Sequence, residues 1–130
     1  MQIIGHITLL VKDYDEAIEF YTKRLNFTLV EDRMMSETKR WVLVAPQGST
    51  GCSLLLSKAT STEQKSLIGN QSGGRVFMFL YTDDFEHDYN HLKAQGVRIV
   101  EEAIQKPHGM VAIFADLYGN LWDFIEPVKV

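Results

Sequence analysis

The stretch HITLLVKDYDEAIEFYTKRLNFTLVE, residues 6–31, decides the fold because a second stretch repeats its pattern. The second stretch is FMFLYTDDFEHDYNHLKAQGVRIVEE, residues 77–102. Each indicates a strand, an acidic helix start, an amphipathic helix, an Asn or Gly, and another strand. The copies align with an offset of 71 residues through the helices and 70 residues after them. The chain is therefore predicted to contain two copies of one module.

The helices are predicted at about residues 14–25 and 84–95. Asn26 follows the first helix and Gly96 follows the second. Asn and Gly tolerate the left-handed backbone conformation that ends many helices, so both helices are expected to stop by the same device. Apolar residues recur at helical spacing in each helix, which predicts one face packed on a sheet: Tyr14, Ala17, Ile18, Tyr21 and Leu25, then Phe85, Tyr89 and Leu92.

Three strand candidates follow each helix. They are FTLVEDRM, RWVLVAPQ and CSLLLSKA in the first half, and VRIVEEAI, MVAIFAD and LWDFIEP in the second. Each half is therefore predicted to be a β-α-β-β-β module, and the class to be α+β. One module spans about residues 1–57 and the other about 75–130, joined by a polar Ser-, Thr- and Gly-rich connector at about 58–74, within a single domain.

Composition limits the classes of function. The chain has 130 residues, 45% hydrophobic and 23% charged, and no apolar run near the roughly 20 residues of a membrane span. A net charge of −4 without a concentrated basic patch argues against nucleic acid. The start MQIIGHITLL has no basic region or cleavage pattern, so a cytoplasmic location is expected. The expected partners are a small molecule and a second copy of the chain, with neither nucleic acid nor membrane.

The pattern of the modules resembles a known superfamily. The chain resembles the vicinal oxygen chelate superfamily of glyoxalases, bleomycin-resistance proteins and extradiol dioxygenases in three features. These are two β-α-β-β-β modules in about 130 residues, the segment YTKRLNF after the first strand, and the late segment GNLWDF. The resemblance implies two curved mixed sheets that enclose a cup, with the helices outside, and a homodimer.

The resemblance also implies four metal-ligand slots facing the cup. His6 fits the first slot, and Asp123 of GNLWD stands where the family has a Glu. The middle slots fall on Phe77 and, by shifting Asp123 back by 70, on Ser53. A phenyl ring cannot coordinate a cation, and a serine hydroxyl is a poor ligand for a transition metal. The metal site is therefore predicted to be degenerate.

Three interpretations of His6 and Asp123 stay open. They could hold a divalent metal ion, with its coordination shell completed by water, by the partner subunit's His108 or by the partner subunit's Glu126. They could act as a polar ligand-recognition or acid/base pair. They could also bind each other as a structural pair. All three place both side chains in one concavity.

Strand alternation predicts the other side chains on the cup face. The ligand-binding candidates are apolar and aromatic with a few polar groups: His6, Thr8, Ser53, Leu55, Phe77, Phe79, Tyr81, Leu121 and Asp123. This composition is typical of a small-molecule pocket. The alternative is a cup filled by its own side chains as a core. Trp41 is a further candidate for the wall, whereas Trp122 is expected to face a helix.

These observations lead to three function hypotheses. The first is a small-molecule binding protein of the glyoxalase and bleomycin-resistance type. The second is a divalent-metal-dependent lyase, isomerase or dioxygenase, in which the cation would act as a Lewis acid. The third, a structural or regulatory dimer, applies if the cup is filled.

Overall fold

The computed structural model describes residues 1–129. They form two compact units, Met1–Ile68 and the part from Gly69 onward, and each unit holds one four-stranded sheet. The boundary lies inside the predicted connector. That connector also contains a short helix, α2, at Thr62–Ser66, which the sequence analysis did not predict.

The first unit has the predicted β-α-β-β-β order. Its elements are β1 His6–Val11, α1 Tyr14–Glu19, β2 Phe27–Met34, β3 Arg40–Pro46 and β4 Ser53–Lys58. The strand order is β1-β4-β3-β2, with β1 parallel to β4 and the other pairs antiparallel.

The second unit repeats this arrangement. Its elements are β5 Val76–Tyr81, α3 Phe85–Ala94, β6 Arg98–Lys106, β7 Gly109–Ala115 and β8 Leu121–Pro127. The order is β5-β8-β7-β6, again with one parallel pair, β5 with β8. The predicted α+β class and its two modules with mixed sheets are confirmed.

The helices begin and end as the sequence predicts. The side chain of Asp13 accepts a hydrogen bond from the Glu16 N–H at 2.9 Å, and Asp84 accepts one from His87 at 3.3 Å. Asn26 has φ 61° and Gly96 has φ 74°, so both helices stop at a left-handed residue.

The first helix departs from the prediction in its last turn. Residues Phe20–Arg24 are π-helical, and the Leu25 N–H reaches the Phe20 carbonyl at 3.2 Å. The Thr22 hydroxyl donates to the Ile18 carbonyl at 2.7 Å and competes for an acceptor that an α-helix would use. The turn is therefore wider than in α3, although it buries the same apolar face.

Each sheet packs one face against its helix and leaves the other face more open. In the first unit, Leu9, Leu56 and Val42 lie side by side on three strands and are fully buried. In the second unit, the rings of Phe114 and Trp122 stack at 5.7 Å on the corresponding face. Burying each such side chain contributes about 2 kcal/mol, which fixes the face that meets the helix.

The strand register shows how far the repeat extends. Glu31 on β2 lies opposite Leu43 on β3, and Glu101 on β6 lies opposite Ile113 on β7. Both pairs follow an irregularity at the same position, so the 70-residue offset holds up to these pairs. A second irregularity between Glu101 and Ile104, which β2 lacks, then raises the offset of β6 to 71.

The last strand does not follow that offset. Leu55 on β4 lies opposite Thr8, whereas Asp123 on β8 lies opposite Phe79. Because Phe79 is the counterpart of Thr8, the register makes Asp123 the counterpart of Leu55 and gives β8 an offset of 68. The sequence alignment of Asp123 with Ser53 was wrong by two residues.

The turn between β7 and β8 causes this shift, because the segment 116–120 is two residues shorter than the corresponding segment 46–52. Asp116, which is 5% exposed, organises the turn. Its Oδ1 accepts from the N–H groups of Tyr118, Gly119 and Asn120 at 3.1, 3.1 and 2.9 Å. Its Oδ2 accepts from the Asn120 side chain at 3.0 Å and the Trp122 indole at 3.4 Å.

We expect Asp116→Ala to lower the free energy of unfolding by on the order of 3 kcal/mol, because several buried donors lose their acceptor. Urea denaturation measures this change. The control is Asp13→Ala, which removes one helix cap and is expected to cost about 1 kcal/mol. An Asp116 variant as stable as the control would contradict the role assigned to this network.

Candidate functional site

The open face of the first sheet carries four of the predicted site residues. His6 and Thr8 on β1 are exposed, and they lie opposite Ser53 and Leu55 on β4, which are half-buried. Strand alternation places all four on the face away from α1. This face therefore combines two hydroxyls, an imidazole and an apolar side chain, all reachable by a ligand.

Aromatic contacts extend this face across the sheet. The His6 ring meets the Trp41 ring edge-on, with 5.8 Å between centroids. The Arg33 guanidinium lies 5.7 Å from the centroid of the Trp41 ring, and its Nε lies 3.4 Å from a Glu31 oxygen. Trp41 was predicted as a wall residue. Arg33 was missed, although its position opposite Trp41 in the β2–β3 hairpin is the signal that could have found it.

The open face of the second sheet is centred on Asp123. Asp123 is half-buried on β8, directly between Phe79 on β5 and Ile113 on β7. Phe79 is 64% exposed and Tyr81 is 66% exposed. Leu121, half-buried, lies on the same face. A carboxylate is thus surrounded by apolar and aromatic side chains that remain open to solvent.

Phe77 differs from its neighbours on β5. The pairing steps from Val76 opposite Leu121 to Met78 opposite Trp122, so Phe77 is the extra residue of a bulge. Its ring meets the buried Trp122 ring edge-on at 6.0 Å. Phe77 therefore packs on the indole, while the next two aromatic residues on the strand stay exposed.

The environment of Asp123 favours its protonated form. Burial raises the pKa of the Asp123 carboxyl, and the charge of Glu101 raises it further, whereas Lys106 and His108 lower it. Each of these groups belongs to the same unit. His108, in the β6–β7 turn, is thus close enough to Asp123 for its charge to lower the pKa of that carboxyl.

The chain matches the model of the Glyoxalase/Bleomycin resistance protein/Dioxygenase superfamily over residues 3–124. It belongs to this superfamily. An uncharacterized protein of Shewanella frigidimarina (strain NCIMB 400) is 54% identical over 126 residues, which cover 96% of this chain and 93% of that protein.

Two solved structures share the fold of this chain. UcmS2 superposes with a TM-score of 0.83 at 27% identity, covering 97% of this chain and 99% of UcmS2. TnmS3, an antibiotic binding protein from Streptomyces sp. CB03234, gives a TM-score of 0.78 at 27% identity, covering 98% of each chain.

The metal implied by the superfamily resemblance does not fit the residues present. His6 lies opposite Ser53, and Asp123 lies between Phe79 and Ile113, so each supplies one good donor among poor ones. Within residues 1–129, no three His, Cys, Asp or Glu side chains are grouped as they would be around a metal ion. Glu126, one candidate for completing the site, accepts from the Phe85 N–H at 2.8 Å.

Of the helices in the described part of the chain, none is long and apolar enough to cross a membrane. The expectation that His6 and Asp123 share one concavity stays a prediction.

We expect Asp123→Asn to stabilise the protein at neutral pH by less than about 1 kcal/mol, because the carboxylate still reaches water. Folding raises the pKa of Asp123 above its ordinary value of 3.8. The contribution of Asp123 to the free energy of unfolding is therefore greatest below pH 3.8 and is lost as pH rises through the folded pKa. The advantage of the Asn variant should therefore shrink towards about pH 3. Urea denaturation at both pH values measures it.

The control for the charge change is Asp83→Asn, at an exposed carboxylate. An Asp123→Asn variant that is less stable than the wild type at neutral pH would show that the carboxylate is net stabilising, against this account.

Proposed function

We propose that this chain is a small-molecule binding protein, and that the open face of its second sheet holds a planar aromatic ligand. The observation that carries the proposal is the pair of exposed rings, Phe79 and Tyr81, beside the partly buried Asp123. A ligand ring would cover both side chains, and the carboxyl would bind a polar or cationic group of the ligand.

The energetics favour such a ligand. A Phe or Tyr side chain moved out of water contributes about 1.5–3 kcal/mol, and a well-oriented aromatic pair adds about 0.5–1.5 kcal/mol. Phe79 and Tyr81 gain little of this within the chain because about two thirds of each remains exposed. The carboxyl group of Asp123 is partly buried beside them, and this burial raises its pKa. A bound ligand would therefore supply contacts that these three side chains do not make within the chain.

The open face of the first sheet carries recognition groups of its own. Thr8 and Ser53 place hydroxyls on it, and His6 with Trp41 forms an aromatic wall. Leu55 adds an apolar contact to this face, as Leu121 does to the face of the second sheet. None of the nine predicted site residues is fully buried, which supports faces that a ligand can reach over a filled core.

The comparisons support binding more than catalysis. TnmS3, which covers the whole length of this chain at 27% identity, is an antibiotic binding protein. The alternative, a divalent-metal-dependent lyase, isomerase or dioxygenase, lacks a matching donor set among the described residues. We therefore propose ligand binding without a metal cofactor.

A thermal-shift screen with antibiotics that carry planar aromatic ring systems tests the proposal. We expect at least one compound to raise Tm by about 4 °C or more when present well above its Kd. The Phe79→Ser/Tyr81→Ser double variant is expected to bind that compound at least about tenfold more weakly, because it loses both stacking surfaces.

The matched control is Val30→Ser/Met34→Ser, which removes two exposed apolar side chains from β2 and leaves the proposed face intact. Equal binding by the Phe79/Tyr81 double variant would remove the face from the site. A screen in which no compound stabilises the wild type would refute the aromatic ligand class.

We further propose that the chain forms a homodimer. β1 lies at an edge of the first sheet and β5 at an edge of the second, and natural proteins usually cover such edges. Ile3 is 81% exposed and Ile4 is 73% exposed, directly before β1. Twofold dimers are the commonest oligomers of globular proteins, and a stable one would bury about 1,000 Å² or more.

The expected cytoplasmic location stays a prediction.

Sedimentation velocity at micromolar concentration is expected to show a dimer. The Ile3→Asp/Ile4→Asp double variant is expected to shift the population towards monomer, because it places charges on the apolar surface before β1. The Val30→Ser/Met34→Ser variant serves again as the control. A wild-type protein that sediments as a monomer throughout would exclude the dimer.

A further inference from the structure

A methionine sulfur lies against a charged group at the tip of the β2–β3 hairpin. Met35 Sδ is 3.0 Å from Arg33 Nη1 and accepts a hydrogen bond from the guanidinium. Met35 is 49% exposed, so a small reagent in solvent can reach its side chain. The hairpin backbone holds both residues in place. Arg33 pairs with Trp41 on β3, and the Met35 N–H donates to the Lys39 carbonyl at 2.8 Å.

The same guanidinium contacts the open face of the first sheet. The carbon of the Arg33 guanidinium lies 5.7 Å from the centroid of the Trp41 ring. The Trp41 ring in turn meets the His6 ring edge-on at 5.8 Å. Arg33 is itself exposed, so its side chain can turn without opening the core. It therefore links Met35 at the hairpin tip to the aromatic wall of the open face.

Oxidation would change the strength of the contact between Met35 and Arg33. A thioether is a weak hydrogen-bond acceptor, whereas methionine sulfoxide carries a polar S–O group whose oxygen is a good one. A hydrogen bond from a charged donor to that oxygen is stronger than one to the thioether. The attraction of an exposed guanidinium to an indole face is weak by comparison. A sulfoxide at residue 35 therefore draws Arg33 away from Trp41.

We propose that Met35 is a modification site, at which oxidation by a hydroperoxide transfers the Arg33 guanidinium from the Trp41 ring to the sulfoxide oxygen. The sulfur attacks one peroxide oxygen, so that an S–O bond forms as the O–O bond breaks. Sulfur is oxidised by two electrons and the peroxide is reduced by two. The departing oxygen takes the proton of the transferred hydroxyl and leaves as an alcohol, or as water when the oxidant is hydrogen peroxide. The open face of the first sheet then loses the cation over its indole.

The neighbouring Met34 provides a comparison within the same hairpin. Met34 is also exposed, but it pairs with Arg40 on β3. Arg40 is already bound, with Nη1 2.8 Å from Asp15 and Nη2 2.7 Å from Asp32. A sulfoxide at residue 34 would therefore stand beside an arginine that two carboxylates hold. Oxidation of Met34 is expected to leave Trp41 unchanged.

The second unit shows that the hairpin does not require this group of residues. Ile104 on β6 pairs with Val111 on β7, as Arg33 pairs with Trp41 in the first unit. An apolar pair thus stands in the second hairpin where the first has a cation over an indole. The fold of the module therefore does not explain the contact of Arg33 with both Met35 and Trp41. The proposed modification is also independent of the aromatic ligand proposed for the second sheet.

Oxidation with hydrogen peroxide, followed by NMR of the methionine methyl groups, tests whether Met35 is reached. The chain has five methionines, of which Met78 and Met110 are half-buried. We expect the Met35 methyl resonance to convert to its sulfoxide position before those of Met78 and Met110, because oxidation follows exposure.

The indole N–H cross-peaks in ¹⁵N spectra report the movement of Arg33. We expect the Trp41 indole cross-peak to shift in step with conversion of the Met35 methyl. Trp122 is the internal reference, because its buried indole donates to Asp116 and is expected to keep its position.

Three variants assign the shift to the proposed contact. Met34→Leu, which keeps Met35, is expected to show the full Trp41 shift on oxidation. Met35→Leu is the matched control and is expected to show none, because leucine has a similar volume and no sulfur. Arg33→Leu is expected to lose the shift although Met35 still oxidises.

If Arg33→Leu gives no folded spectrum, the Arg33 Nε–H cross-peak carries the test in Met34→Leu, since it must shift when the guanidinium moves. Four results would each overturn the proposal. They are oxidation of Met35 no earlier than that of Met78, an unshifted Trp41 cross-peak in oxidised Met34→Leu, an equal shift in oxidised Met35→Leu, and an undiminished shift in folded Arg33→Leu.

Discussion

The carboxylate of Asp116 sets the register of β8, on which the proposed aromatic face depends. By accepting three backbone N–H groups and two side-chain donors, it holds residues 116–120 in a turn two residues shorter than its counterpart. β8 therefore enters its sheet in a shifted register. That register places Asp123 beside Phe79 on the open face and Glu126 at the start of α3 on the helix side. A buried acceptor in a turn thus determines what both faces of the sheet carry.

The features that the sequence predicted are those encoded locally. Helical spacing identified the buried faces of α1 and α3, and the acidic starts of both helices and the stops at Asn26 and Gly96 each depend on a few neighbouring residues. The strand segments FTLVEDRM and LWDFIEP match β2 and β8 residue for residue. Repetition of the pattern then gave the topology, because one module constrains the interpretation of the other.

The features that the sequence did not predict depend on register and on contacts across strands. A constant offset assigned Asp123 to Ser53, since the pattern of LWDFIEP does not encode the length of the preceding turn. Alternation placed Phe77 with Phe79, because a one-residue bulge has no signature in apolar residues. The convergence of Asp15 and Asp32 on the Arg40 guanidinium likewise has no signature in the strand pattern. These relations join residues far apart in the chain.

The two units differ in how they satisfy their charged and aromatic groups. In the first unit, Arg40 joins two carboxylates and a ring, and Arg33 lies over Trp41. In the second, Phe79 and Tyr81 are exposed. Exposed rings add little to folding stability, and exposed apolar patches mark surfaces that a partner covers. The second unit therefore presents more exposed aromatic surface, whereas the first satisfies its charged and aromatic groups internally.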